Sequence, residues 1–351
     1  MKGLFVLGSG GSGKTALCVA IAMRLIDRGA KVGYFKPVGS VAGTSQRQDR
    51  DGILMKELLG MAADVETIVP FHTSPSYLSK YTSPEETQAR VKECFDEVTR
   101  GLDYLIVEGT TAPQTMMALR LDAPRLSRLL GLKPLLVSKG EFDYHLDNAL
   151  LHLRYLESVG ADVGGVIFNN VPKQNMDKCR GVYTPILEKE GYSVLGIIPK
   201  KAELVAPTVR EVAEVLGGEV LEGEKHLDRP VEETVIGAMT PESALNYFHR
   251  SINKAVVVGG DRPMIALAAL ETSTSVLILT GGIYPDMRVL TRAAEQKVPV
   301  LLVPHDTFTT VEKLHFVTRK IQASDSKAIS QAREHLEEYC DLAKIEALLE
   351  T

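Results

Sequence analysis

The sequence predicts an α/β protein, a doubly wound parallel-sheet domain followed by a smaller α/β domain. Short β-branched runs alternate with stretches whose apolar residues recur at three and four positions, the pattern of parallel strands joined by crossover helices. The chain has 351 residues, more than one ordinary domain of roughly 100–200 residues. The alternation lapses over residues 217–235, where glycine, charge and proline concentrate as at a domain boundary.

In chain order, the first domain (1–216) has expected strands at 3–7, 30–35, 103–107, 133–137, 163–168 and 193–198. Its helices begin near Lys14, Arg50, Pro84, Pro124, Leu146 and Met176. After a linker over 217–235 comes a second domain over 236–322. There, helices near Pro241, from Arg262 and after Asp286 alternate with strands at 255–258, 276–279 and 298–303. From 323 to 351, Ile329, Leu336, Tyr339, Leu342, Ile345 and Leu349 have helical spacing with acids between them. They predict one C-terminal helix packed on a neighbouring surface, with partner binding as the sharper alternative.

Composition narrows the function. A net charge of -5 argues against a general nucleic-acid or anionic-membrane binder, which needs a summed basic field. No apolar run reaches the roughly 20 residues of a membrane helix, because Arg24 and Arg28 interrupt the most apolar helical segment. The start of the chain lacks the pattern of a signal peptide, so a cytoplasmic protein is expected. Cys18, Cys94, Cys179 and Cys340 show no metal-binding or disulfide spacing.

The strongest motif is Gly8-Ser9-Gly10-Gly11-Ser12-Gly13-Lys14-Thr15, which fits G-x-x-x-x-G-K-[ST] between an expected strand and an expected helix. Gly8, Gly10, Gly11, Ser12 and Gly13 let successive N–H groups turn inward onto phosphate oxygens, and the helix that follows adds its positive N-terminal dipole. Lys14 is expected to reach the β- and γ-phosphates of ATP, and Thr15 to take one position on Mg²⁺. Glu108 ends an apolar run where a parallel sheet opens onto its ligand, which makes it a candidate for the same metal. Asp49 and Asp51 either coordinate that metal through water or orient a reacting group, or are helix N-terminal acids favoured by the dipole.

Phe35-Lys36-Pro37-Val38, Val107-Glu108-Gly109, the run from Gly165 through Asn169 and Asn170 to Val171, and Leu195-Gly196-Ile197-Ile198-Pro199 complete the pattern. Together with the glycine loop they resemble the dethiobiotin synthetase-like branch of P-loop proteins across about the first 200 residues. The resemblance implies that Lys36 lies at the reaction centre beside Lys14. It also implies that Glu108 and one of Asp49 or Asp51 hold Mg²⁺, and that Asn169 reads adenine. Gly259-Gly260-Asp261-Arg262 and Leu279-Thr280-Gly281-Gly282 resemble the split signature of the DRTGG domain. The combination is similar to the N-terminal portion of long phosphotransacetylases, up to about Lys320. The chain ends where their catalytic domain would begin, so acetyl transfer is not expected here and a separate acyltransferase chain becomes a candidate partner.

Parallel strands would bring both DRTGG loops to one sheet edge, where Arg262 with the glycine N–H groups would hold an anionic effector. Asp261 would cap the helix begun by Pro263. The plainer reading of Asp261, Arg262, Thr280, Gly281 and Gly282 is cap and turn chemistry with a subunit contact in a homodimer. Two functions follow: an ATP-dependent ligase that activates a carboxyl or carbamate oxygen, or a regulatory ATPase that responds to an unidentified small molecule. The run Glu108-Gly109-Thr110-Thr111-Ala112-Pro113 favours the second, because dethiobiotin synthetases have a small glycine-rich substrate loop there. His305 is a candidate general base, but Asp306 beside it reads better as a helix cap. Lys139, Asp143 and His145 follow a strand at the same edge, with loop solvation as the safer reading.

Overall fold

The computed structural model describes residues 2–40, 48–74, 76–79, 82–201, 206–315, 317, 319 and 321–350. The chain forms two compact units, Met1–Lys201 with Ile321–Thr351, and Ala202–Lys320. The first unit is built on six strands: β1 (Lys2–Gly8), β2 (Val32–Phe35), β5 (Tyr104–Glu108), β6 (Lys133–Lys139), β7 (Gly165–Val171) and β8 (Val194–Pro199). They lie in the order β2-β5-β1-β6-β7-β8, and every neighbouring pair is parallel. Their apolar runs are buried, as a parallel sheet covered by helices on both faces requires. Two short strands, β3 (Val38–Ser40) and β4 (Phe71–Thr73), pair apart from this sheet. At three residues each, they are too short for a periodic pattern to reveal.

Helices start where the sequence supplies caps. Asp49 accepts from Asp51 N and Gly52 N at the head of Arg50–Leu59, and Ser83 and Glu86 form a capping box for Pro84–Val98. The helix Lys14–Asp27 has no side-chain cap and begins from Gly13, which has φ 88°. Its first-turn N–H groups therefore face the glycine loop unopposed by a capping oxygen.

The second unit has the order β10-β11-β12-β13-β9. Strands β10 (Glu233–Ile236), β11 (Lys254–Gly259), β12 (Thr274–Thr280) and β13 (Val300–Leu302) run parallel, and β9 (Glu219–Glu222) pairs antiparallel with β13. The expected linker over 217–235 thus contains β9 and all but the last residue of β10. Its polar composition follows from position: β9 and β10 are the two edge strands, whose outer sides need not be apolar. The helix Val209–Leu216, assigned from sequence to the first domain, buries Val209, Val212 and Leu216 in the second unit's core.

The tail is two helices, Ser326–Tyr339 and Leu342–Leu349, rather than one. Cys340 breaks them by adopting an extended conformation bridged to Gly196 of β8, and Asp341 N donates to Leu195 O. Ile329, Leu336, Ile345 and Leu349 join the first unit's core, so the neighbouring surface belongs to the same chain. Arg24 of the helix Lys14–Asp27 and its C-cap residue Arg28 both pair with Glu346. The limit placed at Lys320 lies outside the described residues. Among the described residues, no helix is long and apolar enough to cross a membrane.

Candidate functional site: a phosphate loop beside a caged lysine

The glycine loop links β1 to the helix Lys14–Asp27, and β5 lies directly beside β1 with Val6 opposite Glu108. This register brings Glu108 to the loop: Thr15 Oγ1 donates to Glu108 Oε1 at 2.9 Å, and Tyr34 OH donates to Oε2 at 2.9 Å. Lys14 Nζ donates to Gly8 O at 3.1 Å and Ser9 O at 3.0 Å. Burial pushes its pKa down to about 8 although Glu108 opposes the shift. From the other side of β1, Asn169 at the end of β7 donates its amide to Ser12 O at 2.8 Å. A Cβ at Gly13 would lie 2.1 Å from that amide nitrogen, so close packing as well as positive φ requires glycine there.

Lys36 is enclosed by acids. Its Nζ lies 2.5 Å from Asp51 Oδ2, 3.1 Å from Asp49 Oδ2 and 4.0 Å from Glu108 Oε1, and all four side chains are buried. Burial acts to lower the Lys36 pKa, but Asp51, Glu108 and Asp49 overcome it and hold the ammonium above its ordinary value. Burial likewise raises Glu108, against the pull of Lys36. Asp49 also accepts from Ser40 N, Asp51 N and Gly52 N, which makes it a cap and loop anchor. The two aspartates therefore meet at Lys36, as helix N-terminal acids of a charged cage.

Among the described residues, no group of three or more His, Cys, Asp or Glu side chains is arranged to hold a metal ion. Mg²⁺ is commonly bound by one or two protein oxygens together with substrate phosphates. The Thr15 hydroxyl and Glu108 carboxylate, already 2.9 Å apart, are hard oxygen donors suited to that need.

The other sequence candidates divide. β11 and β12 are neighbours, so the DRTGG segments do share a sheet edge. Their glycine amides, however, are engaged: Gly260 N donates to Thr280 O, Gly281 N to His305 O and Gly282 N to Val303 O. The expected amide cradle for an anion is thus replaced by turn hydrogen bonds, and the Thr280 hydroxyl pairs with Thr307. Asp261 does not cap; Arg262 is the N-cap residue of Pro263–Leu270 and makes no side-chain cap bond. Asp261 and Arg262 are exposed. Asp306 does cap, accepting from Thr309 N at 2.9 Å. Asp143 accepts from Tyr183 OH and Lys178, His145 Nδ1 accepts from Phe142 N, and Lys139 ends β6.

One site candidate, Thr110, went unsignalled in the sequence. Its Oγ1, like the Oγ of the loop residue Ser12, is buried without a hydrogen-bond partner among the described residues. A threonine after a strand is too ordinary to single out before burial is known.

A strand, a glycine loop and a helix, with lysine and threonine set against an acid on the adjacent strand, define a P-loop nucleotide-binding domain. The chain belongs to the AAA domain family, whose model matches residues 2–208, and the DRTGG domain model matches residues 211–317. A phosphate acetyltransferase of Pseudomonas putida is 26% identical over 95% of this chain and 50% of its own length. The ATP-dependent dethiobiotin synthetase of Bacillus subtilis (strain 168) is 25% identical over 60% of this chain and 92% of its own. The protein is therefore a dethiobiotin synthetase-like P-loop domain joined to a DRTGG domain, as in the N-terminal region of phosphotransacetylases. The chain spans about half the length of the phosphate acetyltransferases it matches. Among solved structures, the CBS and DRTGG domains of Clostridium perfringens pyrophosphatase are 21% identical, covering 59% of this chain and 86% of that one. Their TM-score of 0.29 is too low to bear on the fold.

Proposed function

We propose that this protein is a regulatory Mg–ATP-binding protein of acyl or central metabolism, in which a DRTGG unit serves as effector and dimerisation module. Lys14 and the amides of Gly8, Gly10, Gly11, Ser12 and Gly13 bind the phosphates, and Thr15 with Glu108 holds the metal. Bound Mg²⁺ supplies charge neutralisation at the phosphate oxygens. Asn169 keeps its carbonyl oxygen for the adenine amine while its nitrogen anchors the loop. ATP is an intracellular metabolite, so the same reading places the protein in the cytoplasm.

The observation that favours regulation over ligation is the Lys36 cage. A ligase needs a cation at the reacting oxygen, whereas the Lys36 ammonium is neutralised by Asp49, Asp51 and Glu108. Slow hydrolysis coupled to a change of state fits this better than turnover. Ligation remains the second reading, on the likeness to dethiobiotin synthetase. Titration calorimetry of ATP–Mg²⁺ against wild type and Lys14→Ala tests nucleotide binding, and equal heats would end that claim. Phosphate release with diamines and carboxylates present separates the two readings. A substrate-dependent burst supports the ligase, and an unchanged basal rate supports the regulator.

The homodimer finds support in an apolar rim. Met264, Ile283, Tyr284, Met287 and Phe308 follow the carboxyl ends of β11, β12 and β13 and are 45–75% exposed. Large apolar residues gathered at one edge are characteristic of an interaction site.

A further inference from the structure

Ser12 and Thr110 are 0% and 5% exposed, yet neither hydroxyl has a partner among the described residues. Leaving a buried hydroxyl unmatched forfeits its hydration without replacing it. Two such groups at one site point to a ligand that supplies their acceptors. Ser12 lies against Gly8. A Cβ at Gly8 would sit 3.1 Å from Ser12 Oγ, and Gly8 O accepts from Lys14 Nζ. On the other side, Val6 pairs with Glu108 and Gly109 N donates to Val6 O, and Thr110 follows directly in the chain. The same loop approaches Gly10, where a Cβ would lie 3.6 Å from Thr111 O.

The two hydroxyls belong to different segments of the site. Ser12 belongs to the loop whose backbone cradles the inner phosphates. Thr110 follows Glu108, which faces Thr15 on the side where a metal would bridge the outer phosphates. We propose that Thr110 is a specificity-determining residue that donates its hydroxyl to a terminal phosphate oxygen and so separates nucleoside triphosphate from diphosphate, while Ser12 serves both nucleotides alike. The proposal rests on the nucleotide-binding reading above and adds the group that recognises the phosphorylation state.

Calorimetric titration of the full chain with ATP–Mg²⁺ and ADP–Mg²⁺ tests it, using wild type, Thr110→Val, Thr110→Ser and Ser12→Ala. A hydrogen bond to a charged group contributes about 1.5–3 kcal/mol, so Thr110→Val should weaken ATP about 10- to 100-fold and leave ADP unchanged. Thr110→Ser should restore the wild-type ratio, and Ser12→Ala should weaken both nucleotides together. The Tm of Thr110→Val should not fall, since the variant removes an unmatched buried group. An unchanged ATP-to-ADP ratio in a folded Thr110→Val protein overturns the proposal and leaves nucleotide binding standing. Absence of binding by wild type overturns both.

Discussion

The Asn169 side-chain nitrogen donates to the Ser12 carbonyl at 2.8 Å, fastening the end of β7 to a loop 157 residues earlier. Asn170 repeats the contact on Gly11 O at 3.3 Å, from a left-handed backbone conformation. Gly13 is the position that makes room for this clasp. Gly13→Ala, strained at φ 88° and overlapping Asn169, should cost about 1–3 kcal/mol of stability and lower ATP affinity more than tenfold. Asn169→Ala should weaken ATP and also narrow its advantage over GTP. Calorimetry with both nucleotides checks this, and equal losses for the two would leave the loop anchor as the residue's whole role.

Lys36→Met removes the cation held between three buried carboxylates. Breaking a buried pair by deleting one partner costs about 3–5 kcal/mol, so the first unit should unfold at clearly lower denaturant. Adding Asp51→Asn reduces the like charge left behind and should recover part of the loss. A double variant no more stable than Lys36→Met would show that the cage is not held by charge balance.

The tail contains a pH-sensitive contact. Burial first, then Lys201, lowers the His335 pKa below its ordinary value of 6.5, while Glu338 and Glu334 oppose the shift. The unfolded or undocked tail therefore takes up a proton before the docked one does. Stability is complete above pH about 6.5 and declines as pH falls through the lower docked value. After correction for the intrinsic pH dependence of amide exchange, protection in Ser326–Tyr339 should fall from pH 7 to 5 in wild type and stay flat in His335→Gln.

If the apolar rim joins two copies, Phe308→Asp and Met287→Glu should each shift sedimentation from dimer to monomer while ATP binding is retained. A wild type that sediments as a monomer at tens of micromolar would remove dimerisation from the proposed function.

Periodicity made most of the fold legible. Long buried strands such as β1, β6 and β12, and helices with strong caps, lie within a residue or three of where the pattern puts them. Misassignments fell where composition reflects position in the sheet. Glu219–Glu222 and Glu233–Ile236 read as linker because edge strands tolerate charge. In the candidate site, the loop and Glu108 were visible because phosphate chemistry restricts the residues allowed there. The gathering of Asp49 and Asp51 on Lys36 depends on tertiary geometry, as does the burial of Thr110 and Ser12. The amides of Gly281 and Gly282 looked available for an anion because glycine identity does not say which carbonyls a turn will engage.

The return of Ile329, Leu336, Ile345 and Leu349 to the first unit has a consequence for synthesis. A ribosome adds about 5–20 residues per second, so residues 1–201 emerge many seconds before the two helices that complete their core. Ala202–Lys320, being continuous, can close first. Residues 1–201 should therefore mature after the unit that follows them, with the helix Lys14–Asp27 lacking its final cover until Ser326–Leu349 has emerged. Stalled or shortened chains would present that apolar surface to chaperones and proteases.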